Sequence, residues 1–274
     1  MCNDASPENP EALIQYYSDK LNINYRYFDD NLGGQNLCYH WIRCLELVQT
    51  DWFMILGDDD QLSKDAVQAF YDELFSSSDA NVFRFDIQHV NEFSEKIADK
   101  IKHVNLETST KFAVQKAQGL FLASSLGEYI FSTDAYKEVN IRCYPRAFYS
   151  DNMLVLEVSA FSLIKNISRG EAIIRVSEFS FSGNSKYFDE FEKAQYFYYF
   201  DLLTLHAVKF NQQDLKYFLP PVIKGYLKGH LKISISDFCK ILYRSGGVFY
   251  SLKFFFLNYR SKFIKQKQKS IWSL

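Results

Sequence analysis

Trp52-Phe53-Met54-Ile55-Leu56-Gly57-Asp58-Asp59-Asp60 is the stretch whose reading decides the fold of this chain. The apolar run fits a buried strand, and the glycine ends it just before three acids. Like charges this close repel and raise one another's pKa, so the triplet is costly unless a cation neutralises it. A hard divalent cation such as Mg²⁺ or Mn²⁺ takes one or two carboxylates and fills its remaining positions with water and phosphate oxygens. The triplet therefore reads either as a metal–diphosphate site on a strand tip or as an acidic turn in which Asp60 or Ser63 caps the helix that follows.

Outward from it the pattern alternates. Residues 9–20 read as helix, 22–28 as strand, 35–49 as helix, 52–57 as strand, 63–76 as helix and 81–90 as strand. Such alternation predicts a mostly parallel sheet with helices on both faces. Open sheets of that class bind ligands at the carboxyl ends of their strands, where the acids fall. A polar, hairpin-like excursion over 91–99 precedes a helix near 111–123, a short strand near 128–132 and a helix over 151–163. From 187 onward the pattern is helical, with a strand signal only near 232–235 and with Pro220-Pro221 and Gly246-Gly247 as punctuation. The chain thus divides into an α/β domain over 1–185 and a helical region over 186–274.

Charge separates the same two parts. The net charge is −2, yet residues 216–274 carry twelve Lys and Arg against the single acid Asp237, giving +11 and leaving −13 on the remainder. An acidic body with a basic, aromatic tail fits a peripheral protein on an anionic membrane surface, with Phe254, Phe255 and Phe256 as an exposed patch flanked by Lys262, Lys265, Lys267 and Lys269; a solvated helical face or a nucleic-acid patch is the alternative. The longest apolar run, over 246–257, is interrupted by Lys253 and is too short to span a bilayer. Aromatics make up 18% of the chain, which suits an aromatic core, a membrane interface or a carbohydrate cleft. Five scattered cysteines without a Cys-x-x-Cys pair indicate neither a disulfide framework nor a zinc site, and a reducing cytoplasm fits them.

The order Asn31-Leu32-Gly33-Gly34-Gln35-Asn36, a helix carrying Leu37, Trp41, Cys44, Leu45 and Val48, and then the strand ending in the acid triplet resembles the core of a family 2 glycosyltransferase of the GT-A fold. Upstream, Cys2-Asn3-Asp4-Ala5-Ser6-Pro7-Glu8 resembles the Asp-Gly-Ser-Thr-Asp type turn of that family. Downstream, 124–132 and Tyr149-Ser150-Asp151-Asn152 resemble its acceptor segment and the helix that presents its base. The resemblance covers residues 2–185.

The resemblance implies roles residue by residue. Asp58 would belong to the ribose and metal shell, Asp60 to the Mn²⁺ or Mg²⁺ itself, and Asp59 would support them. Asp151 would be the base that takes the acceptor hydroxyl's proton, unless it is an ordinary helix cap. Asp4 would read uracil, or simply form its turn. Gly33 and Gly34 would admit the nucleotide or shape the turn before the helix. Arg175, in Arg175-Val176-Ser177 on a short strand after the base helix, would touch diphosphate or acceptor, or pair with Glu171 or Glu178. The implied activity is inverting transfer from a UDP-sugar to a lipid-linked or polysaccharide acceptor in bacterial surface-glycan synthesis, at the inner face of the plasma membrane.

One departure stands out. The family begins with a strand, a helix and a strand before the turn that here holds Asp4, roughly 30–40 residues by ordinary element lengths, so Met1 reads as an internal methionine. A sugar nucleotidyltransferase and an inactive, membrane-associated binding fragment are the alternative readings.

Overall fold

The computed structural model describes residues 1–76, 79–120, 124–176 and 185–271, with backbone alone for 185, 253 and 256–271. β1 (Cys2–Asp4) pairs in parallel with β2 (Arg26–Phe28), and α1 (Glu11–Tyr17) connects them. This small sheet is separate from a six-stranded one built from β3 (Trp52–Phe53), β4 (Gln61–Leu62), β5 (Val82–Val90), β6 (Leu106–Thr108), β7 (Tyr129–Ser132) and β8 (Leu163–Arg175). The order is β3-β7-β5-β8-β4, and β6 pairs the start of β8 while β4 pairs its end.

The α/β class is as expected; the strand directions are not. In the six-stranded sheet β5 and β8 run parallel, whereas the β3–β7, β5–β7, β4–β8 and β6–β8 pairs are antiparallel. Alternation of apolar and polar residues fixes which face a side chain takes but carries no direction. β8 extends over 13 residues, far beyond the short strand expected around Arg175, because polar residues within it obscure its period. Its register slips opposite Phe85 and Asp86, where Gly170 has φ 88° and a Cβ would stand 2.9 Å from the Cα of Ala66. Only glycine accommodates both that backbone and that approach.

Helices cover both faces, as expected. Phe83, Phe85 and Ile87 of β5 pack with Ala66, Ala69 and Phe70 of α3 (Ala66–Ser76). Val82 faces the other way, into a cluster with Leu45 of α2 (Leu37–Leu45) and Leu154, Val155 and Val158 of α6 (Ser150–Val158). On that second face Arg84 and Asp86 are also buried, and each is paired. Arg84 donates to Glu107 at 2.9 Å, and Asp86 accepts from the His103 amide and from Asn166 at 3.0 and 3.1 Å. Between these elements lie α4 (Ser109–Ala117) and α5 (Thr133–Lys137).

The region past 187 is helical, and where a strand signal ran over 232–235 there is no strand: 232–234 are irregular and a helix starts at Ile235. α7 (Phe188–Thr204), α8 (Gln212–Leu227) and α9 (Ile235–Ile271) share one apolar cluster with Ala113 and Val114 of α4 and Met153 and Leu156 of α6. The basic region is therefore packed on the α/β body as far as Phe254. Pro220 and Pro221 lie inside α8, and α9 is broken at Gly247, with φ 71° and ψ −166°. Phe254, expected to be exposed, is fully buried with its ring 4.9 Å from Phe238 and 5.5 Å from Tyr226. The side chain of Phe256 and those of Lys262, Lys265, Lys267 and Lys269 lie outside the described residues. None of the helices among the described residues is long and apolar enough to cross a membrane.

The cysteine pattern misled in one respect. Cys38 and Cys143 form a disulfide across 105 residues of sequence, with Cα atoms 5.4 Å apart, while Cys2, Cys44 and Cys239 are free. Counting and spacing could not reveal a pair made by the tertiary approach of α2 to a distant irregular segment. Because closing a long loop restricts the unfolded chain, replacing both cysteines with serine should lower unfolding free energy by about 2–4 kcal/mol. Denaturant titration reads that loss, and thiol labelling of unreduced, unfolded protein should count three thiols; a count of five would remove the bridge.

Candidate functional site

The acid triplet lies in a loop between β3 and β4, and the loop is held from two sides. Asp60 accepts from the Arg175 amide at 3.0 Å, at the end of β8. The Arg175 side chain then donates to the Asp59 carbonyl at 3.2 Å, to the Asn91 and Glu92 carbonyls at 3.1 and 2.5 Å, and to Ser94 Oγ at 3.2 Å. Arg175 thus joins the acid loop to the excursion over 91–95. Glu171 pairs instead with Lys100 at 2.9 Å, and Ser177 and Glu178 lie outside the described residues. A Cβ on Gly127 would stand 3.1 Å from Asp60 Oδ2, so the turn Leu126–Glu128 lies directly against the triplet. That contact was not legible in the sequence.

Asp58 and Asp59 are exposed and Asp60 is half-buried. Burial, followed by the charges of Asp59 and Asp58, pushes the Asp60 carboxyl up to about 6. Among the described residues no cluster of three His, Cys, Asp or Glu could enclose a metal ion. The donor set nonetheless fits a hard cation that keeps water and phosphate oxygens, since that needs only one or two carboxylates.

Asp4, Gly33 and Gly34 form a second group. Asp4 Oδ1 accepts from the Leu32 amide at 3.2 Å, accepts from Arg43 and lies 2.9 Å from His40 Nδ1; Oδ2 accepts from the Gly33 amide at 2.7 Å. A Cβ on Gly33 would stand 2.6 Å from that same oxygen, so glycine is what permits the bond. The Gly34 amide donates to Asn31 at 2.5 Å. Asp4 therefore shapes the glycine turn, and Oδ2 keeps a lone pair for one further donor. His40 and Arg43, both on α2, are the partners that reading the sequence missed. Nearby, burial and Cys2 push the Cys44 thiol up to about 12, which leaves it unreactive.

Asp151 occupies the first turn of α6 but does not cap it. The cap is Tyr149, in the left-handed region at φ 65°. Arg146 and Ala147, with φ 55° and 63°, precede it. Such backbone persists only where surroundings hold it, and here they do. Cys143 is bonded to Cys38; the Tyr144 carbonyl accepts from Asn36 at 2.9 Å; its amide donates to Ser150 Oγ at 3.0 Å; its hydroxyl donates to Asp201 at 2.8 Å. Arg146 donates to the Gly34 carbonyl at 3.1 Å, so this strap joins the glycine turn to the helix bearing Asp151. A cavity of about 590 Å³ lies against the strap, lined by Asn140, Arg142, Tyr144, Phe197 and Asp201 among others, and not by the acid triplet.

Burial raises the Asp151 carboxyl, while Lys116 and the amides of Asn152 and of Asp151 itself oppose the rise. The charge of Asp151 adds to the rise of Glu128, one residue after the Gly127 that abuts Asp60. Asn152, next to Asp151, donates to Ser124 Oγ at 3.4 Å, so the segment over 124–128 touches both the triplet and the first turn of α6. Glu128 is fully buried, and burial pushes it up to about 8. Its Oε1 lies 3.7 Å from His103 Nε2, and neither atom has another partner. Burial, then Arg84, pulls His103 down to about 4, so near pH 7 both groups are neutral and the acid's proton suits the imidazole nitrogen.

Neither a family model nor a curated protein matches the chain. Solved structures do. S. aureus TarS 1-349 in complex with UDP-GlcNAc aligns with a TM-score of 0.63 at 14% identity, covering 97% of this chain and 82% of that one. The same fragment in complex with UDP aligns at 0.55 and 15% identity, over 87% and 67%. Against TarS in a longer form the TM-score is 0.57 at 16% identity, and the chain spans 48% of its length. At these identities the likeness is one of fold, an α/β fold with a central sheet and helices on both sides.

The Glu128 pair makes a pH prediction. A carboxyl raised from 4.5 to about 8 on folding costs stability as pH rises from 4.5 toward 8, because the unfolded state releases its proton first. His103, depressed on folding, acts in the opposite sense only below 6.5. Between pH 6.5 and 8 the wild type should therefore lose stability relative to Glu128→Gln at a slope approaching about 1.4 kcal/mol per pH unit. Parallel curves in denaturant titrations would show that Glu128 is ionised in the fold.

Proposed function

We propose that the chain is a glycosyltransferase that moves a sugar from a UDP-sugar to a glycan or lipid-linked acceptor, with inversion at the anomeric carbon. The observation that carries this reading is that the segment over 124–128 abuts Asp60 through Gly127 and the first turn of α6, which bears Asp151, through the Ser124–Asn152 hydrogen bond. It is supported by the shared fold with TarS, which has been solved with UDP and with UDP-GlcNAc.

In this reading the GT-A likeness extends to the site. The acceptor hydroxyl attacks the anomeric carbon from the face opposite the leaving diphosphate, and Asp151 takes its proton as the new bond forms. UDP departs with the bonding electron pair. A Mn²⁺ or Mg²⁺ held by Asp60 and Asp58 would supply charge neutralisation for that diphosphate. Arg175 and Asp59 keep the acid loop in place, and Asp4 with Gly33 and Gly34 presents the turn against which uracil rests.

Mn²⁺ and UDP together should raise the thermal midpoint more than either alone, and Asp60→Ala should abolish the joint shift. Asp151→Asn should keep UDP binding while UDP release from UDP-GlcNAc falls by about 10²–10⁴-fold. Retention of the joint shift by the first variant, or of turnover by the second, would sink the corresponding assignment.

The tail extends the proposal to a membrane surface. Val248, Phe249, Leu252 and Phe255 are 60%, 69%, 63% and 51% exposed and recur at helical spacing on α9. They replace Phe254 as the apolar contact, within a region of charge +11. Sedimentation with anionic vesicles should fall as salt rises, because the Debye length is about 8 Å near 0.15 M. Changing Phe249 and Leu252 to Ser should remove the salt-resistant remainder; equal binding to neutral vesicles would refute an electrostatic attachment.

A further inference from the structure

Lys116 has no role in the site so far described, and its surroundings are unusual for a lysine. It is half-buried on α4, and its ammonium donates to Asn152 Oδ1 in the first turn of α6. It lies 5.2 Å from the centre of the Tyr149 ring and 5.8 Å from that of Phe112. No carboxylate is within 4.0 Å of it among the described residues. A desolvated cation is normally matched by a contacting acid. Here the ammonium is held by an amide oxygen and two aromatic faces, and two of these groups, Asn152 and Tyr149, lie on either side of Asp151 in the chain.

We infer that Lys116 is a positioning residue for Asp151, a fixed cation that keeps this carboxylate ionised and aimed without forming a direct ion pair with it. The inference rests on the proposed role of Asp151 as base. A base bonded tightly to a cation would be a poor proton acceptor, whereas one left alone in a buried site would be protonated at neutral pH. An ammonium parked on the neighbouring amide avoids both. Asn152 is itself fixed, since its amide nitrogen donates to Ser124 Oγ at 3.4 Å and that hydroxyl lies 3.2 Å from the Tyr129 hydroxyl. The titratable groups whose charge states respond to Asp151 are Lys116 from α4, Glu128 from the turn before β7, Tyr149 from the strap and Tyr198 from α7. Lys116 is the one cation among them. The mutual effects agree: burial lowers the Lys116 ammonium while Asp151 and then Glu128 raise it, and Lys116 opposes the rise of Asp151.

The test compares Lys116→Gln, which keeps a donor for Asn152 but no charge, with Lys116→Met and Lys116→Arg. The protonated-carboxyl band of Asp151 in infrared difference spectra is assigned as the band that Asp151→Asn lacks, and it is titrated in each variant. The acid limb of UDP release from UDP-GlcNAc is followed alongside. Loss of the charge should move both midpoints upward by one pH unit or more, and arginine should return them. Unmoved midpoints in Lys116→Gln or Lys116→Met overturn the inference, as does a chain that folds with arginine but with neither neutral residue, which would assign the charge to stability. Failure of the parent reading looks different: Asp151→Asn would then retain turnover, whatever the infrared titration gives.

Discussion

The strap over 143–149 is the constraint on which the arrangement of this molecule depends. Three of its residues, Arg146, Ala147 and Tyr149, take left-handed backbone without being glycine. Each such residue costs on the order of 1–3 kcal/mol and survives only when over-determined. The restraints come from both directions in the chain. Cys38 and Asn36 hold it from α2, Ser150 from α6, and Asp201 and Gln195 from α7. Because α6 begins directly at its end, the direction of the first turn and of Asp151 is inherited from these contacts.

The same logic explains why the helical region is integral to the fold. Asp201 on α7 accepts from Tyr144 and lies 3.6 Å from Arg142, while Glu157 on α6 binds Arg142 and His206, each at 3.1 Å. Tyr198 and Tyr199 pack beside Tyr149, with ring centres 5.0 and 6.1 Å away. Much of the high aromatic content is thus spent in a core where rings meet edge to face or offset and where the Tyr144 and Tyr149 hydroxyls find polar partners in Asp201 and Gln195. The exposed apolar residues of α9 are the part of that content left for a surface role.

Polar burial follows a consistent rule across the site. Arg84 is matched by Glu107 and Asp86 by Asn166 and the His103 amide. Glu128 and His103 are instead held neutral by their surroundings. Arg84 and Asp86 are satisfied by an ion pair and by hydrogen bonds, whereas Glu128 and His103, 3.7 Å apart, carry raised and lowered acidity. An environment that disfavours charge, with one cation placed to counter it, is how a carboxylate can be tuned rather than merely ionised.

By itself the sequence determined the local, periodic part of this protein. The strand over 81–90, the helices over 35–49 and 63–76, the helical pattern past 187 and the three acids placed just after a glycine follow from side-chain period and glycine placement, which act over a few residues. What only the tertiary structure decided are contacts between distant segments. These include the Arg175 amide on Asp60 across 115 residues, Asn36 on the Tyr144 carbonyl across 108, and the disulfide across 105. The antiparallel course of β7, the burial of Phe254 and the approach of Lys116 to Asn152 across 36 residues belong with them. No period in a sequence encodes such pairs, because each arises only when the sheet and the packed helices bring the segments together.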